Sequence, residues 1–300
     1  VPQPNKEIKS MRYREFDQAE LEKHYNPRIA VPDFQKYLDE KQAKSETARA
    51  SLDGLIDIRF GDGSLETLDV FGAQKTASAE GTPLKPMHIF VHGGYWRGLD
   101  KHFYSYLAPP FVQSGCIFVA TNYDLCPTVT LDTVVEQTVR AIAFCHAHAK
   151  EWGADPARIT LSGHSAGAHL AAAALQADWS LHNVPSAAFR GAALVSGIYD
   201  LAPVLRATVN SEIGLTEDVA SRQTLLGKKM TVTAPVLIAA GGAEPSDWIA
   251  QSLAFAEHCN AAGLSTGCRV MAGKNHFSIT TNLDDPGAEL TKCLLEQAHS

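Results

Sequence analysis

Five short runs along the chain, residues 87–91, 117–122, 159–162, 192–196 and 236–240, carry apolar side chains at successive positions instead of alternate ones. That pattern belongs to strands covered on both faces. Between the runs lie stretches with apolar residues three and four apart, most clearly in 131–152, where Leu131, Val135, Thr138, Ile142, Cys145 and Ala149 fall on one helical stripe. Strands alternating with helices predict an α/β fold with a mostly parallel central sheet and helices on both faces. Two earlier runs, 55–60 and 65–71, flank Gly61-Asp62-Gly63-Ser64 and read as a hairpin, with a Gly/Ala/Ser-rich loop near 73–84 behind it.

The two ends of this pattern differ from its middle. Residues 11–50 are charged and helix-prone, with Phe16, Leu21 and Tyr25 on one stripe and Pro27 and Pro32 interrupting it. We read 1–50 as a helical arm laid over a single domain that takes up all of 1–300. The irregular stretch from Tyr199 to Thr233 is longer than an ordinary connection, and is read either as a small lid over 197–234 or as a surface excursion containing one helix.

A 300-residue chain with 45% hydrophobic residues suits one large domain. Its net charge of −7 offers no basic patch for nucleic acid or anionic lipid, so neither is expected as a partner. Cys116, Cys126, Cys145, Cys259, Cys268 and Cys293 form no C-x-x-C pair and no Cys/His ligand spacing, so buried reduced thiols are expected instead of a zinc site or disulfide framework. No apolar stretch approaches a membrane span. The start, Val1-Pro2-Gln3-Pro4, is polar rather than signal-like and lacks Met. The expectation is a cytoplasmic protein whose first ten residues are added or follow a processed segment, with Met11 a candidate native start.

The chemistry is concentrated in Gly163-His164-Ser165-Ala166-Gly167, which follows the run 158–162 and opens an alanine-rich helix through Leu175. In a G-x-S-x-G turn, small residues around the serine let its Oγ stand exposed at a strand end. Upstream, His92-Gly93-Gly94-Tyr95-Trp96 follows the run ending at Val91, and glycines there allow backbone N–H groups to approach a substrate carbonyl. Gly93, Gly94 and Ala166 are the candidate oxyanion donors, with Ser165 as nucleophile. A serine hydroxyl also needs an imidazole base and a carboxylate that fixes the tautomer of that imidazole.

Where this elbow occurs in α/β proteins, the order along the chain is Ser, acid, His. Of His169, His182, His258, His276 and His299, His276 is the best base, because it lies in a loop between the run 268–271 and the last helix. The acid should follow the run ending at Ala240, where Glu244 comes first and Asp247 is the alternative. Tyr95, Trp96, Tyr123 and Tyr199 sit at carboxyl-terminal strand edges and are expected to line an aromatic pocket.

These pieces, together with His24-Tyr25-Asn26-Pro27-Arg28, Asp100-Lys101, Asn122-Tyr123, 163–170, Ser196-Gly197-Ile198-Tyr199-Asp200, 241–251 and Asn275-His276-Phe277, cover most of the chain. In them the sequence resembles the arylformamidase (kynurenine formamidase) and related esterase branch of the α/β-hydrolase fold. H-G-G-Y-W and N-H-F are the most specific segments. The resemblance implies Ser165 as nucleophile, His276 as base and Glu244 as acid, where animal formamidases carry Asp. It implies ester or amide hydrolysis more firmly than formylkynurenine as the substrate.

The expected function is therefore cofactor-free and metal-free hydrolysis of a small, aromatic ester or activated amide through an acyl-enzyme, in a monomer or homo-oligomer. A general short-chain carboxylesterase and a non-catalytic ligand receptor on the same fold are the alternatives.

Overall fold

The computed structural model describes residues 11–73 and 83–300. The leading residues 1–10 and nearly all of the loop expected near 73–84 lie outside the described residues. Among those described, one sheet holds β1 (Gly54–Arg59), β2 (Thr67–Phe71), β3 (Lys85–Val91), β4 (Ile117–Thr121), β5 (Ala154–His164), β6 (Phe189–Val195), β7 (Val236–Gly241) and β8 (Thr266–Met271). Their order is β1-β2-β4-β3-β5-β6-β7-β8. β1 and β2 pair antiparallel, as does β2 with β4, and the sheet is parallel from β4 through β8.

The successive apolar runs became inner strands because both of their faces are covered: every residue of β4 is buried, as are the last six of β3 and of β5. β8 is the exposed edge, which explains why Cys268-Arg269-Val270-Met271 lacks a clean apolar pattern. The helices are α1 (Gln18–Tyr25), α2 (Pro27–Ala30), α3 (Gln35–Ser51), α4 (Ala108–Gln113), α5 (Leu131–His148), α6 (Ala166–Ala174), α7 (Asn210–Ile213), α8 (Glu217–Gln223), α9 (Ser246–Ala261) and α10 (Glu289–His299). The Thr130 hydroxyl caps α5 by accepting from the Thr133 N–H. The predicted helix over 131–152 tightens into a 3-10 turn at Ala149–Trp152 and stops at Gly153, whose φ of 80° favours glycine.

Strand order fixes where a site can form. From β3 the chain steps to β4 on one side and then returns to place β5 on the other, so the loops leaving β3 and β5 diverge around a crevice. Val91 is paired with Gly163, which puts His92-Gly93-Gly94 beside the G-x-S-x-G turn. Likewise Gly241 is paired with Met271, so the loops carrying Glu244 and His276 emerge side by side.

The arm is built into the molecule by directed hydrogen bonds. The Tyr25 hydroxyl donates to Asp247 Oδ2 at 3.0 Å, and the Arg12 backbone N–H donates to the same carboxylate at 2.9 Å. Arg49 of α3 pairs with the buried Asp69 of β2 at 2.5 Å, and Lys44 donates to the Thr281 carbonyl at 2.7 Å. α3 therefore spans from β2 to the segment after His276.

The 197–234 stretch, expected as a lid or a surface excursion, contributes no residue to the lining of the cavity at Ser165. It contains a 3-10 turn (Ala202–Arg206), α7 and α8, and it buries Leu201, Val204, Ile213, Leu225 and Val232 in the main core. With α8 tied to α5 by the Arg222–Asp132 pair at 2.7 Å, the stretch packs as part of the domain.

Burial also keeps several histidines neutral. His88, whose ring nitrogens lie 2.8 Å from Thr160 Oγ1 and 2.6 Å from Ser162 Oγ, is pushed down to about 3, and His169 to about 4. An unfolded histidine binds its proton near pH 6.5, so below that pH the unfolded chain holds protons the folded chain refuses. Stability is expected to be full above about pH 6.5 and to fall as pH drops towards 4. A Tm that stays flat across that window would refute this account.

Candidate active site

Ser165 sits between the end of β5 and the start of α6 with φ 58° and ψ −122°, a conformation that costs energy for any residue with a Cβ. The turn is held by the Ser165 N–H, which donates to the Val195 carbonyl at 2.8 Å. It is also held by the glycines: a Cβ on Gly163 would lie 2.2 Å from the Gly167 oxygen, and one on Gly167 2.0 Å from the Val91 oxygen. Strand, turn and helix pack too closely for side chains, which aims the serine Oγ into the crevice.

There it lies 2.9 Å from His276 Nε2. His276 Nδ1 lies 2.6 Å from Glu244 Oε1. The second Glu244 oxygen accepts from the Gly241 N–H at 2.7 Å and the Ser196 hydroxyl at 3.0 Å. These three side chains, at 6% exposure or less, form one hydrogen-bonded line in a poorly solvated site. The extra methylene of the glutamate is accommodated because Glu244 folds back onto the end of its own strand at Gly241.

Asp247, the alternative acid, points elsewhere, to Tyr25 and Arg12, and anchors the arm. His164, at the variable position of the elbow, places its Nε2 2.8 Å from the His276 carbonyl. Burial and the neighbouring His276 hold His164 well below its ordinary range, so as a neutral donor it fixes the His276 backbone.

The loop after β3 completes the crevice. A Cβ on Gly93 would fall 2.6 Å from the His164 oxygen and 3.1 Å from Ser165 Cβ, so this backbone is pressed against the elbow. Gly94 has φ 121°, and a Cβ there would lie 1.9 Å from the Gly98 oxygen. Among the described residues the N–H groups of Gly94 and Ala166 have no hydrogen-bond acceptor. The Gly93 amide faces the Tyr104 hydroxyl. His92 shapes this loop, its ring nitrogens 2.7 Å from the Gly93 carbonyl and 2.8 Å from Asn122 Oδ1.

Of the four aromatic residues expected in the pocket, one lines it. Tyr95 forms part of the cavity wall and donates its hydroxyl to the Tyr25 carbonyl at 2.7 Å. Trp96 is turned inward, edge-on to His169 with ring centres 5.1 Å apart. Tyr123 stacks on His92 at 4.2 Å, and Tyr199 on Phe255 at 4.1 Å. These three are core residues, because their rings already have packing partners beneath the loops.

The wall that sequence reasoning missed comes from the arm and from Tyr104: Asn26, Arg28, Leu38 and Lys41 enclose, with Tyr104 and Phe277, a cavity of about 60 Å³ that opens onto Ser165 and His276. One signal was available. Leu38, Lys41, Ser45 and Ala48 form the buried stripe of α3, and a lysine is out of place on it. Elsewhere His169 bonds the Gln223 carbonyl and His299 the Ser114 hydroxyl, away from the serine. Among the described residues no group of three or more His, Cys, Asp and Glu side chains could hold a metal, and no helix is long and apolar enough to cross a membrane.

Comparison with known proteins places this geometry in context. Residues 88–280 match the family model described as alpha/beta hydrolase fold. A kynurenine formamidase from Danio rerio is 32% identical over 297 residues, covering 96% of this chain and 97% of its own. Esterase LipQ from Mycobacterium tuberculosis is 37% identical over 152 residues, 48% of this chain and 35% of its own. The crystal structure of a putative thioesterase from Silicibacter sp. TM1040 superposes with a TM-score of 0.75 at 28% identity, covering 89% of this chain and 96% of the other.

Proposed function

The chain belongs to the α/β-hydrolase fold family and is a hydrolase, and we propose that it works as a serine hydrolase on a small activated amide or ester, an N-formyl aryl amine or a short-acyl aryl ester, through an acyl-enzyme. The observation that carries this reading is the unbroken line Ser165 Oγ, His276 Nε2, His276 Nδ1, Glu244 Oε1 at 2.9 and 2.6 Å. Full-length similarity to a kynurenine formamidase supports the amide side of the substrate class.

In this mechanism Ser165 Oγ attacks the carbonyl carbon while its proton passes to His276 Nε2. Glu244 holds Nδ1–H and offsets the charge that the imidazole acquires. The carbonyl oxygen becomes an oxyanion and takes the unfilled Gly94 and Ala166 donors, with Gly93 beside them, in a site where water competes little. His276 then hands its proton to the departing nitrogen or oxygen, the C–N or C–O bond breaks, and the acyl group remains on Ser165. A water molecule, deprotonated by His276, attacks the acyl carbon; His276 returns the proton to Ser165 as the acid leaves.

The small cavity and its Tyr95, Tyr104 and Phe277 rings favour a one- to few-carbon acyl group and a flat leaving group. Formyl or acetyl aryl substrates are expected to exceed a long-chain (about twelve-carbon) acyl ester by at least roughly tenfold in kcat/KM, the gain of aromatic contact added to loss of fit. The test is a kcat/KM panel of aryl formamides and acyl esters, with mass mapping of an organophosphonate adduct to Ser165. Equal rates on the long-chain ester, or an adduct elsewhere, would overturn the reading. Ester cleavage with no formamide cleavage would leave a short-chain carboxylesterase.

A further inference from the structure

Lys41 is 1% exposed, on the inward stripe of α3, and its side chain reaches the cavity shared with Ser165 and His276. Among the described residues its ammonium makes no ion pair and no hydrogen bond; its recorded contact is the face of the Tyr104 ring, 5.6 Å from Nζ to the ring centre. A buried ammonium without a counter-charge is expensive, and a leucine or methionine there would pack at lower cost. Burial indeed pushes the Lys41 ammonium down to about 7. The other two cations of the wall stand differently: Arg97 donates to Glu212 at 2.7 Å, and Arg28 lies over the Phe34 ring at 5.1 Å. Among the described residues none that lines the cavity is a carboxylate, although the chain as a whole carries a net charge of −7. Positive charge is thus gathered on the one surface that meets the substrate.

We propose that Lys41 is a specificity-determining residue for an anionic substrate: the aryl ester or amide carries a carboxylate on its leaving group, and the Lys41 ammonium receives it while Ser165 attacks the carbonyl. Arg28 and Arg97 at the mouth draw the anion inward. The inference rests on the serine-hydrolase reading for the position of the attacked carbonyl, and on nothing else in it.

The experiment compares two nearly isosteric esters, 4-acetoxybenzoate and 4-acetoxybenzamide, one anionic and one neutral, each rate normalised to that ester's hydroxide-catalysed hydrolysis. The wild-type protein is expected to prefer the benzoate by about tenfold or more in kcat/KM, the scale of a buried charge-assisted hydrogen bond. In Lys41→Met that ratio should collapse to within about twofold of unity, mainly through KM, as expected when a binding interaction is removed. A wild-type ratio near one, or an unchanged ratio in the variant, overturns the proposal. Should Lys41→Met not fold, inhibition of the wild type decides: benzoate must compete at least about tenfold more tightly than benzamide, and equal inhibition overturns the proposal. If neither ester is cleaved and no organophosphonate adduct forms on Ser165, the serine-hydrolase reading falls, and calorimetric binding of benzoate against benzamide still tests Lys41.

Discussion

Ser165→Ala is expected to lower turnover by about four to six orders of magnitude with the fold unchanged. Among the described residues the Oγ atom has one polar partner, His276 Nε2 at 2.9 Å, so its loss leaves no buried group without an alternative except the imidazole edge that faces the cavity. The strained backbone at φ 58° is the same for alanine as for serine. Far-ultraviolet circular dichroism and Tm should therefore match the wild type while hydrolysis drops to the level that the oxyanion donors alone sustain. A variant that keeps more than about a tenth of the rate would remove Ser165 from the mechanism.

Glu244→Gln should cost roughly four orders of magnitude in kcat, through the tautomer of His276. Oε2 accepts from the Gly241 N–H and the Ser196 hydroxyl, so the oxygen of a glutamine must stay on that side. Its NH₂ then faces His276 Nδ1, which has to accept, and the ring proton moves to Nε2, where it blocks transfer from serine. Asp247→Asn should do the reverse, lowering Tm by weakening the bonds to Tyr25 and Arg12 while kcat falls far less. Measuring kcat and Tm for both variants separates the two carboxylates. If Asp247→Asn is the crippling change in kcat, the acid has been misassigned.

What could be read from the sequence follows from range. The inner strands announce themselves because burial on both faces is written in consecutive residues, and Gly163 and Gly167 because a turn of this curvature excludes side chains locally. Chain order and loop position narrowed the partners of Ser165 to His276 with Glu244 or Asp247, and the structure brings Glu244 into one hydrogen-bonded line with His276. Side-chain direction is a different matter. Tyr95 and Trp96 are adjacent residues just after the glycines, both with left-handed backbones at φ 55° and 57°, and the turn sends the Trp96 ring into the core and the Tyr95 ring to the cavity. The arm is the larger omission: its role depends on contacts between residues near 25–45 and residues near 247–284, and no local pattern encodes such partners. Lys41 was visible as an anomaly on an inward stripe, but its meaning came only with Tyr104 and Ser165 beside it.

The arm also has a consequence for synthesis. Tyr25 and Arg28 leave the ribosome long before Asp247, His276 and Phe277, yet the pocket is bounded by both groups. Contacts across more than 220 residues must wait until both partners have been made, and they are the slow ones to close. The roof of the catalytic chamber is thus made first, its floor and base last. On the proposed mechanism, a nascent chain that has not yet reached residue 276 holds the Ser165 turn without an imidazole to activate it, which keeps the serine inert until that residue is made.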